Sequence, residues 1–358
     1  MIKSVSLKNF MSHKELSVSN LPNINIIIGK NDTGKTGILK MLYSIVKSLE
    51  IYSIKKNNSD PSFKKELADK LSDTFMPRKN GLGDLVQKGS REKLEVNVTI
   101  EGQIEKYKQP IYFAFGDRTE TSISSCTEVV LPIQKNSINA LFIPAKEVLT
   151  AFNDISTIRD NFYGKGFDDT YLDLIKALRI ETTRERVSQE LSTVNTELES
   201  LFDGKIEQTN QQDNPFAFKR GNHSFAMQQT AEGIKKIGIL STLINNRQLG
   251  KGTVLFMDEP ETTLHPDAIR KLVEMLVGLS KAGVQIILAS HSYFVIKQMA
   301  ICAKREKISA LCWNLEKTAE NTLSYSFNDL IDGVLPSNSI IEETLKMYDE
   351  EIETDFKN

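Results

Sequence analysis

Residues that could do chemistry together occur in two stretches that lie far apart in the chain. The first is GKNDTGKT, residues 29–36, in which glycines, a lysine and a threonine have the spacing G-x-x-x-x-G-K-[ST]. The second is Asp258-Glu259, which follows the apolar run TVLFM. A glycine-rich turn can hold a polyphosphate, and adjacent carboxylates can hold a divalent cation and polarise water. These residue types therefore favour phosphoryl transfer to water.

Each position of the glycine-rich turn has a physical task. Glycines let the backbone approach a polyphosphate, and successive N–H groups, helped by the positive end of the following helix, form a nest for its oxygens. The Lys35 ammonium is a cation for the β- and γ-phosphates, and the Thr36 hydroxyl is a ligand for Mg²⁺. A turn without a ligand is the alternative, but an apolar strand and a helix flank the turn as the motif requires. The predicted phosphate-binding residues are Gly29, Asn31, Asp32, Thr33, Gly34, Lys35, Thr36 and Gly37.

The acidic pair closes a run that is typical of a buried parallel strand, residues 253–257. Open α/β sheets bind ligands at the carboxyl ends of their strands, so this placement favours a site there. Asp258 is predicted to hold Mg²⁺, directly or through water. Glu259, one residue on, is predicted to polarise an attacking water.

A histidine ends a second apolar run, VQIILA at residues 284–289, within the sequence Ser290-His291-Ser292. If both runs are strands of one sheet, His291 lies on the same rim as the carboxylates and could hydrogen-bond the γ-phosphate. A structural histidine is the alternative. His265 precedes a proline at a loop-to-helix junction, which favours a structural role or a subunit contact. His13 and His223 have no comparable placement.

Composition narrows the class of protein. The 358 residues suffice for a large core and one or two domains, and 45 basic against 47 acidic side chains argue against a bulk polyanion binder. The cysteines, Cys126, Cys302 and Cys312, have neither metal-site spacing nor a disulfide pattern, which favours a reducing compartment. No apolar run approaches the ~20 residues of a membrane helix, and the N-terminus lacks the apolar core of a signal peptide. We expect a soluble cytoplasmic protein.

Periodicity predicts an α/β chain. Strands are expected in residues 1–28, before the turn, and a helix continues from the turn to residue 54. An antiparallel group is expected next, and residues 147–203 have a heptad-like helical pattern. The other predicted strands are 94–100, 111–115, 128–133 and 140–143, short strands in 205–228, and a helix is predicted over 234–246. The heptad-like positions are Leu172, Leu174, Ile175, Leu178, Val187, Leu191, Val194 and Leu198.

Residues 55–93 are locally basic, with ten basic against six acidic side chains, an excess of 10 − 6 = +4. Their prolines and glycines predict a loop-and-helix excursion on the surface. A solvated face is the simpler interpretation, and a nucleic-acid contact is the alternative. Lys64 and Lys65 are the residues whose charge reversal would distinguish the two.

Five segments together resemble a known family: SVSLKNFMSHKEL, GKNDTGKT, QQTAEGIKKIGIL, VLFMDEPETTLHP and IILASHS. They resemble the ABC class of P-loop ATPases, and within it the AAA-type ATPases related to the OLD family and, more distantly, to SMC and DNA-repair ATPases. The implied fold is an α/β ABC-ATPase head of two lobes, with a mixed sheet around the P-loop helix, an antiparallel β group and a helical insertion. The expected division is lobe I in 1–146, the insertion in 147–204, lobe II in 205–300 and a strand and helix tail in 301–358.

The resemblance also implies roles. Asp258 would be the Walker B metal residue, Glu259 the catalytic base, His291 the switch histidine, and residues 261–264 the D-loop. Two copies would sandwich ATP head to tail, as a homodimer or a higher oligomer. Ala231, Glu232 and Gly233 would form the signature segment, whose N–H groups reach the γ-phosphate of ATP held by the partner subunit.

The sequence departs from the family pattern in the signature. A serine usually stands at the position of Ala231, so one hydroxyl contact is missing unless Thr230 supplies it. The Q-loop is also hard to place, with Gln134 the candidate. Phe10 to His13 is the stretch that could approach the base, and no spacing distinguishes ATP from GTP.

A second departure is the length of the C-terminal part. OLD nucleases carry a C-terminal nuclease domain, whereas only 58 residues, 301–358, follow the last predicted core strand and they lack a D-x-D cluster. The segment IIEETLKMYDEEIETDFKN is predicted to be an acidic helix. The expected function is therefore Mg²⁺-dependent ATP hydrolysis whose dimerisation controls a separate effector, in anti-phage defence or DNA transactions. An ATP-gated scaffold with little turnover is the alternative, and a transporter ATPase is disfavoured by the poor signature.

Overall fold

The computed structural model describes residues 1–54, 62–78, 81–102, 108–129, 138–162, 166–181, 187–209, 211, 215–318, 320 and 322–357. Strands and helices come in groups in the first two thirds of the chain and alternate one by one from residue 232 to residue 317. The strands are β1 Ile2–Phe10, β2 His13–Ser19, β3 Ile24–Gly29, β4 Leu94–Glu101, β5 Lys108–Phe115, β6 Ser125–Cys126, β7 Asn139–Ile143, β8 Lys205–Gln208, β9 Phe216–Arg220, β10 His223–Ala226, β11 Thr253–Asp258, β12 Gln285–Ser290, β13 Ala310–Lys317 and β14 Leu323–Asp329. The helices are α1 Lys35–Ile54, α2 Phe63–Phe75, α3 Phe152–Phe162, α4 Asp169–Arg179, α5 Gln189–Leu201, α6 Glu232–Asn245, α7 Pro266–Lys281, α8 Tyr293–Glu306 and α9 Ser339–Lys357.

A six-stranded mixed sheet forms the centre, in the order β14-β13-β3-β12-β11-β7. All neighbours in it are parallel except β14, which is antiparallel to β13. Its strands take apolar residues at consecutive positions because both faces are covered. In β11, for example, Leu255 and Met257 face one core while Val254 and Phe256 face the other. The sheet therefore brings together strands from chain segments that are widely separated.

Helix α1 packs between this sheet and a five-stranded antiparallel sheet of order β2-β1-β4-β5-β6. Tyr43, at the middle of α1, is fully buried and makes edge-on contacts to Phe142 and Phe256 with ring centroids 5.5 and 5.9 Å away. These contacts hold α1 against β7 and β11. Since α1 begins at Lys35, they also fix the position of the phosphate turn.

The other face of the central sheet is covered by α3 to α8 and by a small sheet of order β10-β9-β8. The predicted insertion consists of α3, α4 and α5, which contribute to the same hydrophobic core as α6 and α7. The heptad-like pattern thus marks buried faces of short helices. Val187 is partly buried and the other seven predicted positions are buried.

Two sequence expectations differ from the structure. The strand predicted at 128–133 is not formed at 128–129, where the pairing ends with β6, and 130–137 lies outside the described residues. The last core strand is β13 rather than the strand at 284–289, because β13 lies beside β3 in parallel register. Trp313 of β13 is fully buried, and its indole N–H donates to Asn25 Oδ1 at 3.3 Å. The predicted strand in 301–358 is therefore formed, but as a member of the central sheet rather than as part of a tail.

The basic excursion contains α2, whose N-terminus is capped by the Ser62 hydroxyl accepting from the Lys65 N–H. Lys64 and Lys65 are exposed, as expected. Lys70 is not a surface charge, because it is buried and paired with Asp169 and Asp173 of α4. Lys55, Lys56 and Lys79 lie outside the described part of the chain.

Across the described ranges no helix is both long and apolar enough to cross a membrane.

Candidate active site

The phosphate turn connects β3, which ends at Gly29, to α1, which begins at Lys35. Lys35 folds back into the turn, where its ammonium donates to the carbonyls of Gly29 at 2.7 Å and Lys30 at 3.0 Å. Burial lowers the pKa of Lys35, while the nearby carboxylates of Glu259 and Asp258 oppose that shift. The turn thus holds a cation and aims the start of a helix at one point, as the motif predicts.

Two glycines of the turn are also required by the neighbouring parts of the protein, because an added side chain would collide with them. Gly34 has φ +82°, a left-handed conformation, and a Cβ there would collide with the His13 imidazole. A Cβ on Gly29 would collide with the carbonyl oxygen of Leu315 in β13. The turn is therefore packed tightly against β2 and β13.

The two distant stretches meet at Thr36 and Asp258. The Thr36 hydroxyl lies 2.9 Å and 3.1 Å from the two carboxylate oxygens of Asp258. Asp258 is largely buried, and burial raises the pKa of its carboxyl, opposed by the bond from Thr36. A hydroxyl and a carboxylate side by side are hard oxygen ligands, so this pair fits a Mg²⁺ ion.

Glu259 and His291 also lie together on this rim. The His291 Nδ1 is 3.3 Å from Glu259 Oε1 and 3.9 Å from Glu261 Oε1. Glu259 has φ +45°, a conformation that side chains rarely adopt, at the point where the chain leaves β11. That strained turn separates the direction of Glu259 from that of Asp258, as the sequence interpretation requires.

Glu261 has a position that its assignment to the D-loop did not foresee. Its carboxylate is buried and accepts from the Ser290 hydroxyl at 2.7 Å and the His291 N–H at 3.2 Å. Glu261 Oε2 has no hydrogen-bond partner among the described residues. Glu261 thereby ties the end of β11 to the end of β12 and orients the backbone at His291. Ser290, the serine before His291, was the feature of the sequence that could have indicated this contact.

Lys236 is a second residue that sequence reasoning missed. Its ammonium, on α6, donates to the Glu259 carbonyl at 2.8 Å. Burial lowers the pKa of Lys236, and the carboxylates of Glu261, Glu259 and Asp258 oppose that shift. The helix that carries the signature segment is therefore bonded directly to the strained backbone at Glu259.

The signature residues lie at the N-terminus of α6, with Ala231 as the N-cap and no side-chain capping bond. The Thr230 hydroxyl does not replace the missing serine, because it donates to the Ala226 carbonyl at 2.9 Å. Glu232 begins the helix, and a Cβ on Gly233 would lie 2.9 Å from Leu264 Cδ2. The glycine allows α6 to pack against the turn that follows β11.

His13 is a third missed residue, from the hairpin between β1 and β2. It is fully buried, stacks on Phe10, and its Nδ1 lies 3.0 Å from the Tyr325 hydroxyl. Burial lowers the pKa of His13 to about 4, so the imidazole is neutral near pH 7. His13 Nε2 faces Gly34 and has no hydrogen-bond partner in the described part of the chain.

The stretch from Phe10 to His13, which could approach the base, divides into two buried and two exposed side chains. Phe10 and His13 are buried, whereas Met11 and Ser12 are exposed, and Met11 lies beside Gly37. Of the four residues from Phe10 to His13, only Met11 and Ser12 have exposed side chains. Apolar residues have no regular spacing in a hairpin turn. The sequence pattern therefore could not distinguish the buried pair, Phe10 and His13, from the exposed pair, Met11 and Ser12.

Two other sequence assignments can be placed. His265 is the N-cap of α7, where its Nδ1 accepts from the Asp267 N–H at 3.3 Å, so its role there is structural. The candidate Q-loop residue, Gln134, lies outside the described residues.

Comparison with family models decides the class. The model described as "AAA domain, putative AbiEii toxin, Type IV TA system" matches residues 135–297, and the model described as "AAA ATPase domain" matches residues 1–100. This chain is a P-loop ATPase. The two matches include the acidic strand end with His291 and the phosphate turn, respectively, which are the parts that the structure brings into contact.

Parts of the ATPase are similar to parts of two curated proteins, an Old nuclease and a RecF protein. It is 46% identical to the Old nuclease of Escherichia phage P2 over 48 residues, which are 13% of this chain and 8% of the nuclease. It is 28% identical over 105 residues to the DNA replication and repair protein RecF of Streptococcus agalactiae serotype Ia, 29% of this chain and 25% of RecF. The matches thus span well under two thirds of these relatives.

Solved structures give the fold. An SMC head bound to the C-winged helix domain of ScpA aligns with a TM-score of 0.55 at 14% identity, over 92% of this chain and 98% of the SMC head. A Pyrococcus furiosus SMC head with an extended coiled coil aligns with a TM-score of 0.54 at 13% identity, over 98% of both chains. The ATPase therefore has the ABC-type head fold.

Proposed function

We propose that this ATPase binds Mg²⁺ and ATP in the site between β3, β11 and β12, hydrolyses the nucleotide, and uses dimer closure to control a separate effector protein. The observation that carries the proposal is the contact between the Thr36 hydroxyl and the Asp258 carboxylate at 2.9 Å. It unites a phosphate turn and a cation-binding acid that are 222 residues apart in the chain.

Within this proposal each side chain has one task. Lys35 and the N–H groups of the turn bind the phosphates, and Thr36 and Asp258 would hold the metal. When bound, Mg²⁺ neutralises charge that develops on the phosphate oxygens. Glu259 accepts a hydrogen bond from the attacking water, and His291, 3.3 Å from Glu259, senses the γ-phosphate.

The dimer follows from the position of the signature segment. Ala231, Glu232 and Gly233 expose the N-terminus of α6, a favourable end for anions, and would meet ATP bound to a second copy. Lys236 would then connect that contact to the Glu259 backbone of its own subunit.

Effector control in bacterial anti-phage defence is the biological setting that we propose, with DNA transactions as the second setting. Its support is the similarity to a model described as a putative AbiEii toxin and to a phage nuclease named Old. The similar SMC head is described as bound to a domain of ScpA, a separate protein. These properties are those of the relatives, and they suggest where a partner should be sought.

The test is the rate of phosphate release with ATP and Mg²⁺ in wild type and Glu259→Gln. Loss of the base should lower the rate by about 10²-fold or more while ATP still binds. The trapped variant should also double its mass by light scattering when ATP is added. Glu15→Gln, at an exposed position of β2, is the control and should match wild type. An unchanged rate in Glu259→Gln would show that another group activates water.

The ATP-gated scaffold remains a second candidate because the Ala231 N-cap lacks a side-chain hydrogen bond. In that case bound ATP holds an assembly and hydrolysis is incidental. Sizing the ATPase with ATP and the product of the adjacent gene distinguishes the two. A stable complex without phosphate release supports the scaffold, whereas release of the effector upon hydrolysis supports the first proposal.

A further inference from the structure

Helix α9 carries an apolar stripe that faces solvent. Leu345, Tyr348 and Ile352 are 57%, 60% and 53% exposed, and Ile341 is partly exposed one turn before them. The spacings of four, three and four residues place all four side chains on one face of a helix. This arrangement corresponds to positions d, a, d and a of a heptad. We call these four residues the α9 stripe.

The base of α9 is anchored to the core, so the stripe is presented at a defined place. Asn338 is buried, and its Oδ1 accepts from the N–H groups of Ile340 and Ile341 at 3.0 and 3.1 Å. Ile340 packs against the core of the central sheet. The rest of the helix extends from this cap with its stripe uncovered among the described residues.

Three of the four described positions beside the stripe are acidic, and the fourth is Thr344. In heptad terms Glu342 and Asp349 occupy e positions and Glu351 occupies a g position. The helix as a whole has seven acidic side chains against two lysines. Four acidic residues also lie in the last two turns, Glu350, Glu351, Glu353 and Asp355, where negative charge is unfavourable for the helix dipole.

The acidic residues beside the α9 stripe indicate which kind of partner could cover it. An antiparallel pair of α9 helices would place the acidic e residues Glu342 and Asp349 against each other, and a parallel pair would have no basic e or g residue to attract them, which disfavours self-association. An anionic lipid surface is disfavoured for the same reason. A helix with apolar a and d positions flanked by lysine or arginine would cover the stripe and neutralise the acidic flanks.

We propose that α9 is the docking site for a basic amphipathic helix of a partner protein. The proposal deepens the proposed function, because it names the surface and the chemistry by which an effector would be held. It does not depend on hydrolysis, since none of the α9 residues belongs to the nucleotide site.

The binding experiment uses the full chain and two synthetic peptides about three heptads long. Both peptides have leucine at a and d, and they differ only in lysine or glutamate at e and g. Fluorescence anisotropy should show that the lysine peptide binds about tenfold or more tightly than the glutamate peptide, with the difference shrinking as salt rises. Equal binding of the two peptides, or no binding of either, would overturn the proposal.

Matched variants test the stripe itself. Leu345→Ser combined with Ile352→Ser should abolish binding of the lysine peptide. Met347→Ser removes an apolar side chain that is 67% exposed but lies off the stripe, and it should leave binding unchanged. If Met347→Ser weakens binding equally, the contact is nonspecific and the docking site is wrong.

Charge variants test the flanks. Asp349→Lys combined with Glu351→Lys should reverse the preference toward the glutamate peptide, whereas Glu350→Lys, on the outer face, should not. Light scattering of the wild type without peptide should show no dimer that the Leu345 and Ile352 changes dissolve. Such a dimer would make a second copy the occupant and refute the proposal. Phosphate release by the same variants should equal wild type, so failure of the ATPase proposal would be seen separately.

Discussion

Gly34 shows how a residue at the site meets two demands at once. Its φ of +82° lets the turn curve toward a ligand, and the missing Cβ leaves room for the buried His13 imidazole. His13 is in turn oriented by the Tyr325 hydroxyl of β14. The phosphate turn is thus supported by a strand that comes nearly 300 residues later in the chain.

We expect Gly34→Ala to weaken ATP binding by more than about tenfold. The added methyl group meets a left-handed backbone, which costs about 1 kcal/mol, and also overlaps His13. Calorimetric titration with ATP checks the affinity, and the melting temperature should fall as well.

Gly89→Ala is the matched control for that prediction. Gly89 has nearly the same φ, +84°, but no atom lies within 4 Å of the position of an added Cβ. Gly89→Ala should lose only the stability that glycine contributes at a left-handed backbone position. Its affinity for ATP should equal that of wild type. Equal affinities in the two variants would contradict the role of the His13 contact.

Glu259, the proposed catalytic base, has a strained backbone. Its left-handed backbone is held by the Lys236 ammonium on its carbonyl and by its own N–H bond to the Ala289 carbonyl at 3.0 Å. Backbone strain persists where surrounding contacts enforce it. Here those contacts come from the neighbouring strand and from the signature helix.

At the scale of elements, a buried ion network joins α2 and α1 to α4. Lys70 of α2 bonds to Asp169 at 2.8 Å and to Asp173, and the Tyr43 hydroxyl of α1 donates to Asp173 at 2.6 Å. Burial would raise the pKa of Asp173, but the ammonium groups of Lys70 and Lys47 hold that pKa below its usual value. The basic excursion is therefore attached to the same helices that border the nucleotide site.

Lys70→Met should lower the free energy of unfolding by about 3–5 kcal/mol at pH 7, because it leaves two carboxylates buried without their cation. Lys176→Met is the control, since its ammonium also faces Asp173, at 3.5 Å, but is 75% exposed. That change should cost at most about 0.5 kcal/mol. Urea unfolding measures the free energy of unfolding of both variants. Similar losses in the two variants would show that burial of the Lys70 ion pairs is unimportant for stability.

The same network predicts an acid dependence. Because the pKa of Asp173 is lower in the folded chain than its ordinary value of 3.8, the folded state binds fewer protons there. This contribution is present above about pH 4 and is lost as the pH falls through the folded pKa. The stability gap between wild type and Lys70→Met should therefore narrow in urea titrations at pH 3.

At the scale of the whole molecule, the exposed lysines of α2 lie on a surface attached to the ATPase core. Lys64 and Lys65 are exposed at the first turn of α2, while Lys70 anchors the opposite side of the helix. This division leaves the exposed first turn of α2 available to a polyanion, while Lys70 in the middle of the helix holds α2 to α4.

Reversing both charges, Lys64→Glu with Lys65→Glu, should weaken binding to duplex DNA and lower the salt slope of the binding constant by about 2. Lys271→Glu with Lys281→Glu is the control, because each of these lysines already pairs with a carboxylate, Asp267 and Glu306 respectively. Anisotropy titrations at several salt concentrations provide the measurement. If the salt slope is unchanged in the α2 variant, Lys64 and Lys65 do not contact DNA and this surface only faces solvent.

The nucleotide site was predictable because its chemistry is carried by local patterns. The spacing in residues 29–36 needs only a strand before it and a helix after it, and Asp258 and His291 each close an apolar run of their own. Strand ends of one parallel sheet share a rim, so these residues could be placed together without coordinates.

The residues that hold this site in place could be identified only from the tertiary structure. His13, Lys236 and Glu261 act through contacts to residues 21, 23 and 29 or more positions away, where no period or motif relates the partners. The place of β13 beside β3 was not predicted for the same reason, since its register against β3 and the burial of Trp313 involve residues nearly 290 positions apart. Local sequence determines which backbone segments form and which chemistry they carry, whereas the packing of distant side chains determines what holds that chemistry in place.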